Sequence, residues 1–127
     1  MMIWKSRTFD QVANYGSADP IIRPVTAWVS DVVEHGLRDD RGRAIGNFAR
    51  IESFQKLIRR DDGVWALATE VSYFVTTQAT RDGKMFGASS VQHTECGTLE
   101  EAQALAAKKI TAAGKRFARQ FAKRVVA

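Results

Sequence analysis

His93-Thr94-Glu95-Cys96 places an imidazole, a carboxylate and a thiol within one short run. Those are the ligand and proton-shuttle types of a hydrolytic zinc centre of the deaminase kind, in which metal-bound water attacks a ring carbon and an unligated carboxylate moves the proton. Such a centre needs a further pair of thiolates, and Cys96 is the chain's single cysteine. The site cannot be completed, so His93 reads as a strand-end residue and Cys96 as part of the loop before the last helix. Asp39-Asp40 and Asp61-Asp62 are paired acids, but a hard cation takes about six or more oxygens and aspartate is common in turns for backbone reasons. The sequence has no G-x-x-x-x-G-K-[ST] loop, no G-x-G-x-x-G after a strand, no G-x-S-x-G elbow and no H-E-x-x-H. The expectation is a protein that is not an enzyme, with no cofactor and no metal.

Chemistry of another kind lies in the C-terminal segment. Residues 102–127 carry Lys108, Lys109, Lys115, Arg116, Arg119, Lys123 and Arg124 and no acid. The chain holds 19 basic and 14 acidic residues, so positions 1–101 are left with 12 basic against 14 acidic and the net charge of +5 belongs to the last segment. Sign asymmetry of this sort points to a polyanionic partner. At about 100° per residue Lys108, Lys109, Lys115, Arg116, Arg119 and Lys123 fall on one arc of a helix, and Leu99, Ala102, Ala106, Ile110, Ala113, Phe117 and Phe121 occupy the opposite one. A basic stripe on a helix some 40 Å long, at about 1.5 Å per residue, can follow a phosphate backbone. The bland alternative is a solvated face, although solvated faces ordinarily mix both signs.

The element that holds this stripe begins at Thr98. Thr98 and Glu101 form a T-x-x-E capping box, and Glu100 and Glu101 put negative charge in the first turn. Gly114 is expected to kink or split the helix. Upstream, Val25, Trp28, Val29, Val32, Val33 and Gly36 recur at helical spacing behind Pro24, which predicts a helix over about Pro24 to Leu37 with His35 near its C-terminus. A polar loop then runs through Asp39, Asp40, Arg41 and Gly42. Residues 1–23 show no sustained period and read as an N-terminal arm, with one helical turn between Phe9 and Asn14 as an option; residues 24–127 read as a single domain. Residues 44–51 fit either a strand or a helix.

Two Asp-Gly pairs mark hairpins, because a two-residue type I′ turn needs φ > 0 at both central positions. With Asp62-Gly63 as a turn, Ile58 lies opposite Leu67 and Phe54 opposite Val71. With Asp82-Gly83 as a turn, Phe86 lies opposite Ala79 and Ala88 opposite Thr77. These registers gather Phe54, Ile58, Trp65, Leu67, Val71, Tyr73, Val75, Phe86 and Ala88 on one face. Ser53, Glu70, Ser72, Phe74, Thr76 and Val91 fall on a more polar one. Phe74 is there either a base-stacking candidate or a packing residue beneath the arm or a second subunit.

The expected fold is α+β: a two-layer sandwich in α-β-β-β-α order, an antiparallel meander of three strands, or four, covered by a long C-terminal helix. That order, with Asp82-Gly83-Lys84-Met85-Phe86-Gly87 ahead of a helix containing Ala102, Leu105 and Ala106, resembles double-stranded RNA-binding domains over roughly residues 50–110. The resemblance implies phosphate-clamping lysines at the start of the last helix; this sequence has Glu100, Glu101 and Gln103 there.

Length and composition frame the rest. A chain of 127 residues with 45% apolar and 26% charged residues suits one self-sufficient core. No stretch approaches the roughly 18 to 20 consecutive apolar residues of a membrane span. The lone cysteine and the lack of a leader-like start suggest a cytoplasmic location. The functional expectation is a small nucleic-acid-binding or accessory protein, contacting DNA or RNA phosphates through the six stripe residues with little base specificity. The alternative is an adaptor or inhibitor, for example phage- or plasmid-encoded, docking an acidic protein surface. Homodimerisation by strand addition fits either reading.

Overall fold

The computed structural model describes residues 2–13, 20–87 and 94–125. Among these the chain forms β1 (Trp4–Ala13), β2 (Ile21–Ser30), β3 (Val33–Arg38), β4 (Ala44–Arg59), β5 (Trp65–Arg81), β6 (Lys84–Met85), β7 (Thr94–Cys96) and α1 (Leu99–Val125). The fold is α+β, an antiparallel sheet with one C-terminal helix. Strand order is β1-β2-β4-β5-β6, with β3 pairing β4 and β7 pairing β5.

The two Asp-Gly turns close their hairpins differently. At Asp82-Gly83 both residues have positive φ, 51° and 76°, as a two-residue type I′ turn requires. Arg81 faces Lys84, Thr80 faces Met85, and Phe86 N–H donates to the Ala79 carbonyl at 2.9 Å, which is the expected register. At the other turn only Gly63 has positive φ, 82°. Arg60 N–H donates to Val64 O and Gly63 N–H to Arg60 O, each at 2.9 Å, so Asp61, Asp62 and Gly63 form a three-residue loop. Arg59 therefore faces Trp65, Ile58 faces Ala66 and Leu57 faces Leu67. The slip of one residue, with a further irregularity between Gln55 and Leu57, sets Phe54 opposite Ser72 rather than Val71. Because side chains alternate across a strand, the slip moves Phe54 to the face that carries Phe74. Ala88 and Val91 lie outside the described residues.

The helix expected over Pro24 to Leu37 is two strands instead. Val25, Thr26, Val29, Val32 and Val33 are β-branched, which weakens helix and favours a pleated surface. The spacing misleads because β2 lies between β1 and β4 and is apolar on both faces: Val25 and Ala27 are buried on one, and Trp28 packs in the core on the other. Pro24 has no N–H to give, and the β2–β4 ladder starts directly after it at Val25. His35 thus sits in β3, not at a helix end. The α-β-β-β-α order fails with that helix, and the topological likeness to double-stranded RNA-binding domains fails with the order. Within the supposed arm, Trp4–Ala13 is a strand paired with β2 along all ten residues. Residues 44–51 open β4 and are strand.

Thr98 caps the helix as expected: Glu101 N–H donates to Thr98 Oγ1 at 3.1 Å, while Glu101 Oε2 reaches one residue further back than in a standard capping box and accepts from Gly97 N–H at 3.3 Å. From there α1 buries Ala102, Ala106, Ile110, Ala113 and Phe121. The first three pack with Ala49, Ile51 and Val75 of the sheet, flanked by Trp4, Trp28 and Tyr73. Gly114 does not break the helix. It lets α1 pass close to β3, since a Cβ there would fall on the His35 imidazole. That ring is held by Asn47 Oδ1 at 2.7 Å and lies 6.1 Å from the Phe117 ring.

Candidate nucleic-acid interface

The buried alanines seat α1 so that the far side of the helix faces solvent. Lys108, Lys115, Arg116 and Arg119 are exposed there and make no ion pair among the described residues. Lys109 differs: it is half-buried, and its Nζ donates to Thr94 Oγ1 at 2.9 Å, tying the helix to β7. Lys123 lies within α1, but its side chain is outside the described residues, as is that of Arg124. The basic surface therefore rests on four of the six stripe residues, spread over about 17 Å of helix axis at 1.5 Å per residue.

The second surface is the sheet face turned away from α1, where Ala27 faces Glu52 and Val25 faces Phe54. It is hollowed rather than flat. A depression of about 710 Å³ is lined by Gln11, Arg23, Phe54, Leu57, Lys56, Phe74 and their neighbours. Phe74 meets Phe54 edge to face with centroids 5.7 Å apart. Arg23 lies over the Phe54 ring at 4.8 Å and is fixed by Gln11 Oε1 at 2.7 Å and the Gln55 carbonyl at 3.2 Å. Beside it a smaller hollow of about 340 Å³ contains Lys5, Arg7, Phe9 and Arg50. Phe74 is therefore not an isolated stacking ring; it packs on Phe54, with Gln11 of β1 lining the same hollow. Arg23, Phe54 and Leu57 escape a reading of the sequence: Phe54 reaches this face through the one-residue slip, Leu57 joins it past the irregularity at Gln55, and Arg23 arrives from β2 across the β2–β4 ladder, where the sequence suggested an arm and a helix. The signal that would have found the Phe54 face is the Asp61-Asp62-Gly63 triplet read as a three-residue loop.

The remaining candidates disperse. Glu95 and Cys96 alternate on β7, so Glu95 turns to the open face and accepts from Ser72 Oγ at 2.6 Å while Cys96 packs against the core. Burial first, and then the Glu101 charge, push the Cys96 thiol above its ordinary range. His93 lies outside the described residues. Asp39 is a structural acid: its side chain is wholly buried, accepts from the N–H groups of Arg41 and Arg43 and from Arg43 Nε, and lies 3.6 Å from Arg81 Nε. No three His, Cys, Asp or Glu side chains among the described residues gather as a metal site, and no described helix is long and apolar enough to cross a membrane. No protein-family model matches this chain, and no curated protein and no solved structure is significantly similar to it.

Proposed function

We propose that this chain is a small, non-enzymatic nucleic-acid-binding protein that grips phosphates with the outer face of α1. One observation carries the reading: Lys108, Lys115, Arg116 and Arg119 are exposed on one side of a single rigid helix with no carboxylate partner among the described residues. Point charges held on a fixed scaffold attract a polyanion and release its counterions, which yields affinity with little base specificity. The change of all four to Gln tests it, because Gln keeps helix propensity and these sites contribute no core packing. Anisotropy titrations with a labelled duplex and a single strand should show a steep loss of wild-type affinity with salt. The quadruple variant should flatten the slope of log affinity against log salt by about three to four units, roughly 0.9 per duplex contact. A wild-type protein that shows no salt-dependent binding near about 50 mM salt would end this reading.

A protein-binding role is favoured by a different observation. Ile58, Val64 and Val71, with Val12 and Ile22 toward the same end of the sheet, are apolar and exposed. If the nucleic-acid titrations are flat, pull-downs comparing wild type with an Ile58→Ser, Val64→Ser variant decide whether that end docks another protein.

A further inference from the structure

We propose that the depression on the open face of the sheet is a binding site for a small planar aromatic monoanion, a ring system bearing one carboxylate or sulfonate. This site is on the opposite side of the sheet from the basic helix and stands apart from the nucleic-acid reading. Its volume, about 710 Å³, falls within the range of roughly 300 to 1,000 Å³ that encloses drug-sized ligands. Phe54 and Phe74 supply two apolar walls inclined at 64°, with Leu57 closing the side. All three side chains are only half-buried, so the walls have unfilled contact surface. A flat ring placed there gains edge and face contacts of the kind the two phenyl groups already make with each other.

The charge is placed as well as the apolar surface. Glu52 is paired with Arg50 at 3.1 Å, while Glu70 and Glu95 share Lys56 at 3.3 and 3.7 Å. Glu70 and Glu95 thus gather at the Lys56 end, and Glu52, which lines the depression opposite Phe74, is neutralised by Arg50. Arg23 makes no ion pair among the described residues, and the hollow beyond it continues the positive sign with Lys5 and Arg7. Stacked on Phe54 and tied by Gln11 and the Gln55 carbonyl, the Arg23 guanidinium is already oriented and still has N–H groups beyond those two bonds. A planar oxyanion suits that fork, and Arg23 is the lining cation that no carboxylate among the described residues already pairs.

The test uses 8-anilinonaphthalene-1-sulfonate, an aromatic monoanion that brightens in apolar sites, titrated against the full chain. The expected result is saturable binding at one site, weakened at least about tenfold by Arg23→Gln and by Phe74→Ala, and unchanged in the quadruple α1 variant. N-phenyl-1-naphthylamine, which has the rings without the sulfonate, should bind wild type about tenfold more weakly, and that gap should close in Arg23→Gln. If Phe74→Ala does not fold, Phe74→Leu keeps most of the volume and carries the same expectation. The proposal is overturned by non-saturable binding, by equal affinity for the two dyes, or by a signal lost only with Ile58→Ser, Val64→Ser. A single strand of about 15 thymidylates that displaces the dye, and loses its own binding in Arg23→Gln, would also overturn it, by making the depression a seat for stacked bases.

Discussion

The inner and outer halves of the β4–β5 ribbon are continuous in backbone and differ in burial. In the inner half, where Ile45–Phe54 pairs with Ser72–Arg81, Ala49, Ile51 and Val75 are fully buried beneath α1. In the outer half Leu57 and Leu67 face each other half-buried, and Ile58 and Val64 are about half exposed at 49% and 50%. Length explains the contrast. At about 3.3 Å per residue β4 and β5 run some 50 Å. The helix begins beside β7, which pairs with Tyr73–Val75, and runs toward the inner end, where Phe121 lies near Ile45 and Phe86. The cover therefore stops near Tyr73.

The turns at the two ends differ in the same sense. At the inner end Asp39 holds two N–H groups and the Arg43 side chain in a buried clasp, and Asp82 Oδ1 accepts from Ala44 N–H at 2.8 Å. At the outer end Arg60 and Asp62 meet at 3.6 Å with more than half of each side chain in water. An exposed pair of that kind contributes about 0 to 1 kcal/mol. Similar residues are thus worth different amounts according to what lies over them.

The largest expected effect comes from exchanging equivalent residues across this divide. Ile51→Ala should cost about 2 to 5 kcal/mol in urea denaturation, because it leaves a cavity under α1. Ile58→Ala should cost about 0.5 kcal/mol or less, as at other exposed positions. Equal losses would break the comparison. A smaller effect should come from unseating the cover: Gly114→Ala drives a methyl into His35 and should cost about 1 to 3 kcal/mol by overpacking. Pairing it with His35→Ala should recover part of that loss, since the two sites share one contact.

The smallest effect concerns the inner clasp and pH. Burial alone would raise the Asp39 carboxyl, but its bonds from Arg43 and Arg41 and the Arg43 charge outweigh burial and hold it below the ordinary aspartate range. A depressed folded value stabilises the fold above the unfolded value, and that contribution is lost as pH falls through the folded one. Thermal melts should therefore show wild type losing stability below about pH 4, and Asp39→Asn should remove this part of the acid dependence. An acid limb identical in both proteins would show that the clasp does not contribute.

Several features of this chain were legible from local chemistry. Asp82-Gly83 makes its type I′ turn because both residues tolerate positive φ wherever they are placed. Thr98 and Glu101 cap the helix because the capping bonds span only a few residues. The apolar and basic arcs of α1 follow from helical geometry alone. The stripe was therefore readable as six cations, while the tie of Lys109 to Thr94 was not, because Thr94 is on another element.

Tertiary structure decided the rest, and the physical reason is the same each time: the deciding contact joins residues far apart in sequence. Val25 to Val33 satisfies a helical period, but pairing with β1 and β4 gives its β-branched side chains two packed faces and makes it strand. Gly114 is tolerated mid-helix because His35 must fit against it. Phe54 and Phe74 share a face only because a three-residue loop closes the outer hairpin, and Arg23 completes that face from β2, across the β2–β4 ladder. What the sequence by itself determined was the α+β class, the capped amphipathic helix and its charge; which residues line the hollow on the other face was set by register, which no local stretch of the chain contains.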